Sequence, residues 1–248
     1  MALRRIFVEW IRDDVAGVDG ARAHHLGRVA RLRTGELVEV SDHERLFLAK
    51  VRSAGGRRVE FDIVEPLPTP ARPFPIVLQA SIFQFARFEW IIEKASEMGI
   101  RSIVPVAAGF SERGLVTAAR KRYLRWQRIG EEAAQQARRF APPAVEEPMP
   151  FEEAIAAAAG PLRLFLDSDS TLLKDLLASP QENVTKDPAF LLVGPEGGWT
   201  DIERQQAQAA GYRSAGLGPG ILRAETAALT AVAITTHILA QQPSQGED

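Results

Sequence analysis

Two glycine-rich segments hold the residue types that let a backbone approach a ligand closely: GPEGGWT over 194–200 and GLGPGILR over 216–223. Gly194, Gly197 and Gly198 permit tight turns, and Pro195 stiffens the first loop. Thr200 and Glu203 have capping-box spacing, so a helix starts there and presents unpaired N–H groups beside the loop. In the second segment Gly216, Gly218 and Gly220 precede a helix with Arg223 and Glu225 at its mouth. Taken as physics alone, these are two strand-to-helix turns; two of them in one sheet exceed what turning requires, which favours a ligand role. Neither is a nucleotide fingerprint, since GxxxxGK[ST] is absent and GLGPG falls short of GxGxxG. His24, His25, His43 and His237 form no metal-ligand spacing, so no metal site is expected.

The elements that must position these loops follow from periodicity. After residue 75 the pattern alternates strand and helix: IVLQAS (76–81), FEWIIEKASEMG with Gly99 as its stop, SIVPVAA (102–108), a long helix over about 118–140, then FEEAIAAAA, RLFLD and AFLLV (189–193). The helix TDIERQQAQAAG stops at Gly211, and the last helix, about 224–240, has so little polar face that it is buried or forms a subunit contact. Apolar strands alternating with helices predict an α/β domain with a largely parallel sheet, which binds ligands at the carboxyl ends of its strands. The first seventy residues differ. RRIFVEW, ELVEVSD, RLFLAKV and RRVEFDIVE are short alternating runs, with a short helix over about 20–31. Five prolines between 66 and 75 predict an extended linker and a boundary near residue 70.

Composition narrows the class. The 248 residues are 46% apolar and 25% charged, with 19 Gly, 16 Pro and no Cys, as in a soluble globular protein. Without cysteine there is no disulfide, thiolate metal site or cysteine nucleophile. No signal-peptide core opens the chain, and AALTAVAITTHILA is too short to span a bilayer, so a cytoplasmic protein without a membrane partner is the default expectation. The formal net charge of -2 conceals a dipole. Over 112–139 eight basic residues face three acids, whereas over 146–203 Arg163, Lys174 and Lys186 face a dozen. Polyanion binding stays open beside the plainer reading of a solvated helix face.

VGPEGGWTDIE followed by LGPGILRAETAAL closely resembles the C-terminal signature of the 16S ribosomal RNA uracil-N3 methyltransferases of the SPOUT superfamily. EKASEMGI (93–100), FSERG (110–114) and EEAAQQARR (131–139) match that family's central motifs in type and order, and RRIFV with HHLGRVARLRTGELVEV (24–40) resembles its N-terminal domain. The resemblance implies a PUA-like RNA-binding β-barrel over 1–70, a SPOUT methyltransferase domain with a deep trefoil knot over 71–242, and a flexible tail over 243–248. It implies S-adenosyl-L-methionine as cofactor, held by Leu192, Gly194, Glu196, Gly198, Leu217, Ile221, Leu222, Arg223 and Ala227. It also implies a homodimer and, as partner, 16S rRNA within the assembled or assembling small ribosomal subunit. Carried over in the same way, RNA contacts fall on Arg28, Arg31, Arg113, Gln136 and Arg139, the last two also candidates for the dimer contact.

The chemistry suits the composition. Methylating C5 of uracil generally needs a cysteine to add at C6, whereas N3 needs only to lose a weakly held proton and attack in line. The edge carrying N3 is the Watson–Crick edge, so the base must be unpaired or flipped out. Arg223 is expected to orient the uracil or stabilise its anion; Glu225 is either the base or a helix cap. Two departures stand out: Pro219 and Gly220 occupy positions where the family usually has a basic residue, and FQFARFEW lacks the usual lysine after the first strand, with Arg87 the nearby basic residue. Rival readings are a SPOUT enzyme acting on ribose 2′-O or another base, a non-catalytic RNA-binding or ribosome-assembly protein, and a nucleotide-dependent enzyme with an unfamiliar loop.

Overall fold

The computed structural model describes residues 3–28, 31–68, 74–168, 170–178 and 187–241. Contacts divide the chain into two units, Met1–Arg72 with Ala134–Ala141, and Pro73–Ala133 with Pro142–Asp248. The tail expected over 243–248 and the centre of the proline-rich stretch, 69–73, lie outside the described residues.

The first unit contains β1 (Arg5–Phe7), β2 (Trp10–Arg12), β3 (Val15–Asp19), α1 (Gly20–Arg28), β4 (Leu37–Ser41), β5 (Leu46–Gly55) and β6 (Arg58–Leu67). Their order is β1-β4-β5-β6-β3-β2, antiparallel throughout except for the parallel β1–β4 pair. The two outer strands are consecutive in sequence, separated only by Val8 and Glu9, so the sheet has to curl to bring its edges together. Val18, Val38, Val40, Val59 and Phe61 are fully buried inside the curl. Proline at 66 is tolerated because β6 pairs with β3 only as far as Asp62, leaving its end an edge facing β5 alone.

Glu39 sits in β4 where alternation assigns a solvated face, yet it is buried. Arg5 donates to its Oε2 from Nε at 2.9 Å and Nη2 at 2.7 Å, and Arg138 pairs with its other oxygen. Arg5 Nη1 also donates to the Arg138 carbonyl at 2.5 Å, and Ser41 Oγ to the Phe140 carbonyl at 3.1 Å, which fastens 134–141 to this unit. Breaking such a buried set by removing one member typically costs about 3–5 kcal/mol, because a charge is left unpaired.

The second unit comprises β7 (Phe74–Ser81), α2 (Phe85–Met98), β8 (Ile100–Ala107), α3 (Arg113–Ala119), α4 (Tyr123–Gln136, whose last turn from Ala134 counts with the first unit), β9 (Ala144–Val145), β10 (Met149–Pro150), α5 (Phe151–Ala156), β11 (Leu162–Leu166), α6 (Leu173–Ala178), β12 (Ala189–Val193), α7 (Asp201–Ala209), β13 (Arg213–Ala215) and α8 (Ala224–Gln241). All its strand pairs are parallel, in the order β10-β8-β7-β12-β11-β13 with β9 also beside β8. Side chains alternate between two cores. Ile76, Leu78, Leu191 and Val193 face one with Phe88, Trp126 and Val232, while Val77, Phe190 and Leu192 face the other with Phe151 and Trp199. Burial on both faces explains why β12 is an unbroken apolar run. Gln79, buried within β7, donates to the Ala154 carbonyl at 2.6 Å and accepts from the Tyr212 hydroxyl at 2.6 Å; burial pushes that hydroxyl's pKa up.

Gly99 stops α2 in a left-handed conformation with φ 78°, as its sequence position predicts. The helix expected over 118–140 is corrected. It is two helices, α3 and α4, joined by a 3-10 turn over Arg120–Arg122, and it ends at Gln136. Arg138 takes φ 54°, and the Arg139 N–H returns to the Ala134 carbonyl at 2.8 Å. A non-glycine residue makes the left-handed stop, so no glycine signals it in the sequence.

Candidate active site

The carboxyl ends of β11, β12 and β13 open into a cleft of about 460 Å³, within the size range of small-molecule sites. The loop after β12 forms one wall. Trp199 is nearly buried and its indole N–H donates to the Leu166 carbonyl at 2.9 Å. A Cβ on Gly194 would stand 3.0 Å from that ring, so any larger residue would have to push the indole aside. The loop ends at Thr200, which caps α7 through a reciprocal capping box with Glu203. The Glu203 carboxylate does more: it accepts from the Gly109 N–H at 2.7 Å, tying in the loop after β8.

The loop after β13 forms the opposite wall. Gly216 packs so closely that a Cβ would approach the Ser170 carbonyl to 2.7 Å, and its N–H and C=O bond to Thr171 and Leu173. Beyond it, Gly218 (φ 131°) and Gly220 leave open space where side chains would project. Ile221 is 96% exposed and Leu222 40%. At the cleft floor the Asp167 carboxylate accepts from Arg204 Nε at 2.8 Å. From the first turn of α2, Arg87 reaches the rim, pairs with Glu196 and lies 3.6 Å from Glu225.

Of the cofactor residues named from the sequence, Gly194, Glu196, Gly198, Leu217, Ile221, Leu222, Arg223 and Ala227 line this cleft. Leu192 does not: it points into the core on the second face of the sheet. Arg223 is exposed; its carbonyl accepts from the Ala227 N–H at 2.8 Å, while its side chain makes no hydrogen bond or ion pair among the described residues. Glu225 is buried and is not part of the lining; its Oε2 has no hydrogen-bond partner among the described residues. Asp167, Ser168 and Trp199 were missed by sequence reading, although an acidic turn after the apolar run RLFL was a usable signal.

The residues named for RNA contact are divided between the two units. Arg28, Arg31, Gln136 and Arg139 belong to the first unit and Arg113 to the second. Arg31, Gln136 and Arg113 are exposed, Arg139 is half-buried with its pKa lowered by burial, and the Arg28 side chain lies outside the described residues. The basic stretch is also partly neutralised. Arg122 and Arg125 both bind Glu89 at 2.9 Å, and the Arg125 hydrogen bonds hold that carboxyl below its usual range against the opposing effect of burial.

Residues 70–236 match the family described as RNA methyltransferase domain, and residues 18–64 match RNA methyltransferase PUA domain. The chain belongs to the RNA methyltransferase family. The family's ribosomal RNA small subunit methyltransferase E from Synechocystis is 33% identical over 96% of this chain and 78% of its own length. That from Aquifex aeolicus is 30% identical over 84% and 88%. In structure, the Neisseria gonorrhoeae ribosomal RNA small subunit methyltransferase E bound to S-adenosyl methionine has a TM-score of 0.83 and 28% identity, covering 96% of this chain and 98% of that one. The curled first sheet carries the segment that matches the PUA domain and the parallel second sheet the RNA methyltransferase domain, in the order expected from the sequence.

Proposed function

We propose that this RNA methyltransferase transfers a methyl group from S-adenosylmethionine to N3 of a specific uridine in the 16S RNA of the small ribosomal subunit. The observation that carries the reading is the cleft itself: two glycine loops whose missing side chains keep it open, with the guanidinium of Arg223, unpaired among the described residues, on its lining. The residues fit such a cofactor. Gly218 and Gly220 leave room for it, and the apolar Leu217, Ile221 and Leu222 are there to cover its flat part. When bound, S-adenosylmethionine supplies a sulfonium methyl, so that the N3–CH3 bond forms as the S–CH3 bond breaks, the sulfur leaves as a neutral thioether, and the N3 proton goes to water. The chain's own part is to hold the base in line, exclude competing nucleophiles and offset developing charge, and Arg223 is assigned to the last of these.

The trefoil knot and the homodimer belong to the same reading. The position of β12 between β7 and β11 and the packing of α8 back onto α2 and β7 support the knot. Exposed Ile221 and Leu222, with half-buried Leu229 and Ile234 on α8, supply an apolar surface suited to a second copy. Arg31, Arg113, Gln136 and Arg139 remain the residues assigned to RNA, with Arg28.

The deciding experiment is mass mapping of small-subunit RNA from a strain lacking the gene, before and after incubation with the purified protein and S-adenosylmethionine. A uridine that gains a methyl on N3 is the expected result. Methylation of a ribose or of another base refutes the target, and absence of cofactor binding by calorimetry refutes methyl transfer. Arg223→Ala is expected to lower the methylation rate about a hundredfold while cofactor affinity changes little.

A further inference from the structure

Arg87 stands between two carboxylates that differ in surroundings. Its Nη1 pairs with Glu196, whose side chain is 53% exposed at the cleft rim. Its Nε lies 3.6 Å from Oε1 of Glu225, whose side chain is 10% exposed. The other Glu225 oxygen, Oε2, is buried without a hydrogen bond among the described residues. A buried carboxylate is costly unless a cation offsets it, and the cation beside this one is Arg87. Glu225 itself does not line the cleft, whereas Arg87 does, so it is Arg87 that presents charge from this pair to the cleft. A guanidinium has five N–H donors, and these two contacts leave most of them for a ligand.

The remaining charges of the lining sharpen the point. They are Asp167, Glu196 and Arg223, and both carboxylates are already paired, Asp167 with Arg204 and Glu196 with Arg87. Among the described residues no histidine lines the cleft, and both described carboxylates of the lining are engaged by arginines. A uracil that loses its N3 proton spreads the charge over N3, O2 and O4. A fixed cation beside one of those oxygens stabilises the anion and lets water take the proton. We propose that Arg87 is a catalytic residue that stabilises the uracil anion through O2 or O4, and that Glu225 is a positioning residue acting through Arg87 and not the base. This rests on the uridine-N3 reading above.

The test measures kcat against pH for wild type, Arg87→Ala, Arg87→Lys, Glu225→Gln and the Arg87→Ala/Glu225→Gln pair. Small ribosomal subunits from the deletion strain serve as substrate, and calorimetric affinity for S-adenosylmethionine is measured alongside. For wild type, kcat rises with pH to a plateau. In Arg87→Ala it falls about a hundredfold at neutral pH, the rising limb moves up by about one pH unit or more, and cofactor affinity stays within about threefold. Arg87→Lys, which keeps the charge without the fork, lies between the two and carries the test if the alanine variant does not fold. Glu225→Gln lowers kcat about tenfold, keeps the rising limb, and adds nothing to Arg87→Ala in the pair. The proposal is overturned if Glu225→Gln abolishes the limb, if neither Arg87 variant moves it, or if Arg87→Ala loses cofactor affinity in step with rate. Product identity keeps the two readings apart: a wild-type product other than 3-methyluridine refutes the function, whereas normal product with an unmoved limb in the Arg87 variants refutes this inference alone.

Discussion

Replacing Glu203 tests whether one carboxylate holds the wall of the cleft. Its oxygens accept from the Gly109 N–H at 2.7 Å, the Thr200 N–H at 2.9 Å and the Thr200 hydroxyl at 2.9 Å, and the residue is 5% exposed. Glu203→Ala removes all three bonds and strands two backbone donors. At about 1.5 kcal/mol for each bond to a charged group, the three together are worth about 4–5 kcal/mol. For a chain of this size each kcal/mol moves the melting point by about 2–4 °C, so a fall of about 8–20 °C is expected. Glu203→Gln keeps one acceptor oxygen but turns an amide N–H₂ towards a donor, so it is expected to lose roughly half as much. Thr200→Ala removes only the hydroxyl, at about 1 kcal/mol. Thermal melts of the three variants, with calorimetric titration by S-adenosylmethionine, give the answer. Melting of Glu203→Ala within about 2 °C of wild type, or Gln as harmful as Ala, would refute the reasoning.

Gly194→Ala places a Cβ 3.0 Å from the Trp199 ring, which is held by its bond to Leu166, so cofactor affinity is expected to fall by about tenfold or more in calorimetry. Glu39→Ala strands buried Arg5, and chemical denaturation should show a loss of about 3–5 kcal/mol, much of it recovered in the Arg5→Met/Glu39→Leu pair. His43 packs edge-on against Phe7, and its pKa lies below the ordinary 6.5 because of burial and then the Arg22 charge, with Asp42 opposing. The unfolded chain therefore binds more protons here, and stability fully present above pH 6.5 is lost as pH falls from that value through the lower pKa of the folded state. His43→Asn, which tolerates the φ of 71° at this position, should flatten the acid side of a stability-against-pH curve; an unchanged slope would refute the assignment.

Local rules were enough for much of this protein. The run AFLLV is β12 residue for residue, Gly99 ends α2, and Thr200 with Glu203 caps α7, because burial on two faces, a left-handed stop and a capping box each leave a mark within a few residues. The glycine loops were legible for the same reason, since close passage of a backbone demands glycine whatever lies opposite. What lies opposite was not legible. That Trp199 closes against Leu166, that Asp167 and Arg204 form the floor, and that Arg87 stands over Glu225 depend on residues 33, 37 and 138 positions apart meeting at the carboxyl ends of parallel strands. The same holds for Glu39, polar by alternation yet buried with Arg5 and Arg138, and for Arg138 ending a helix that periodicity extends to Phe140. Sequence alone determined which segments turn, which are buried and which family they resemble. Only the tertiary structure decided which charges neutralise one another, since a side chain's electrostatic role depends on neighbours that strand order, not chain order, brings beside it.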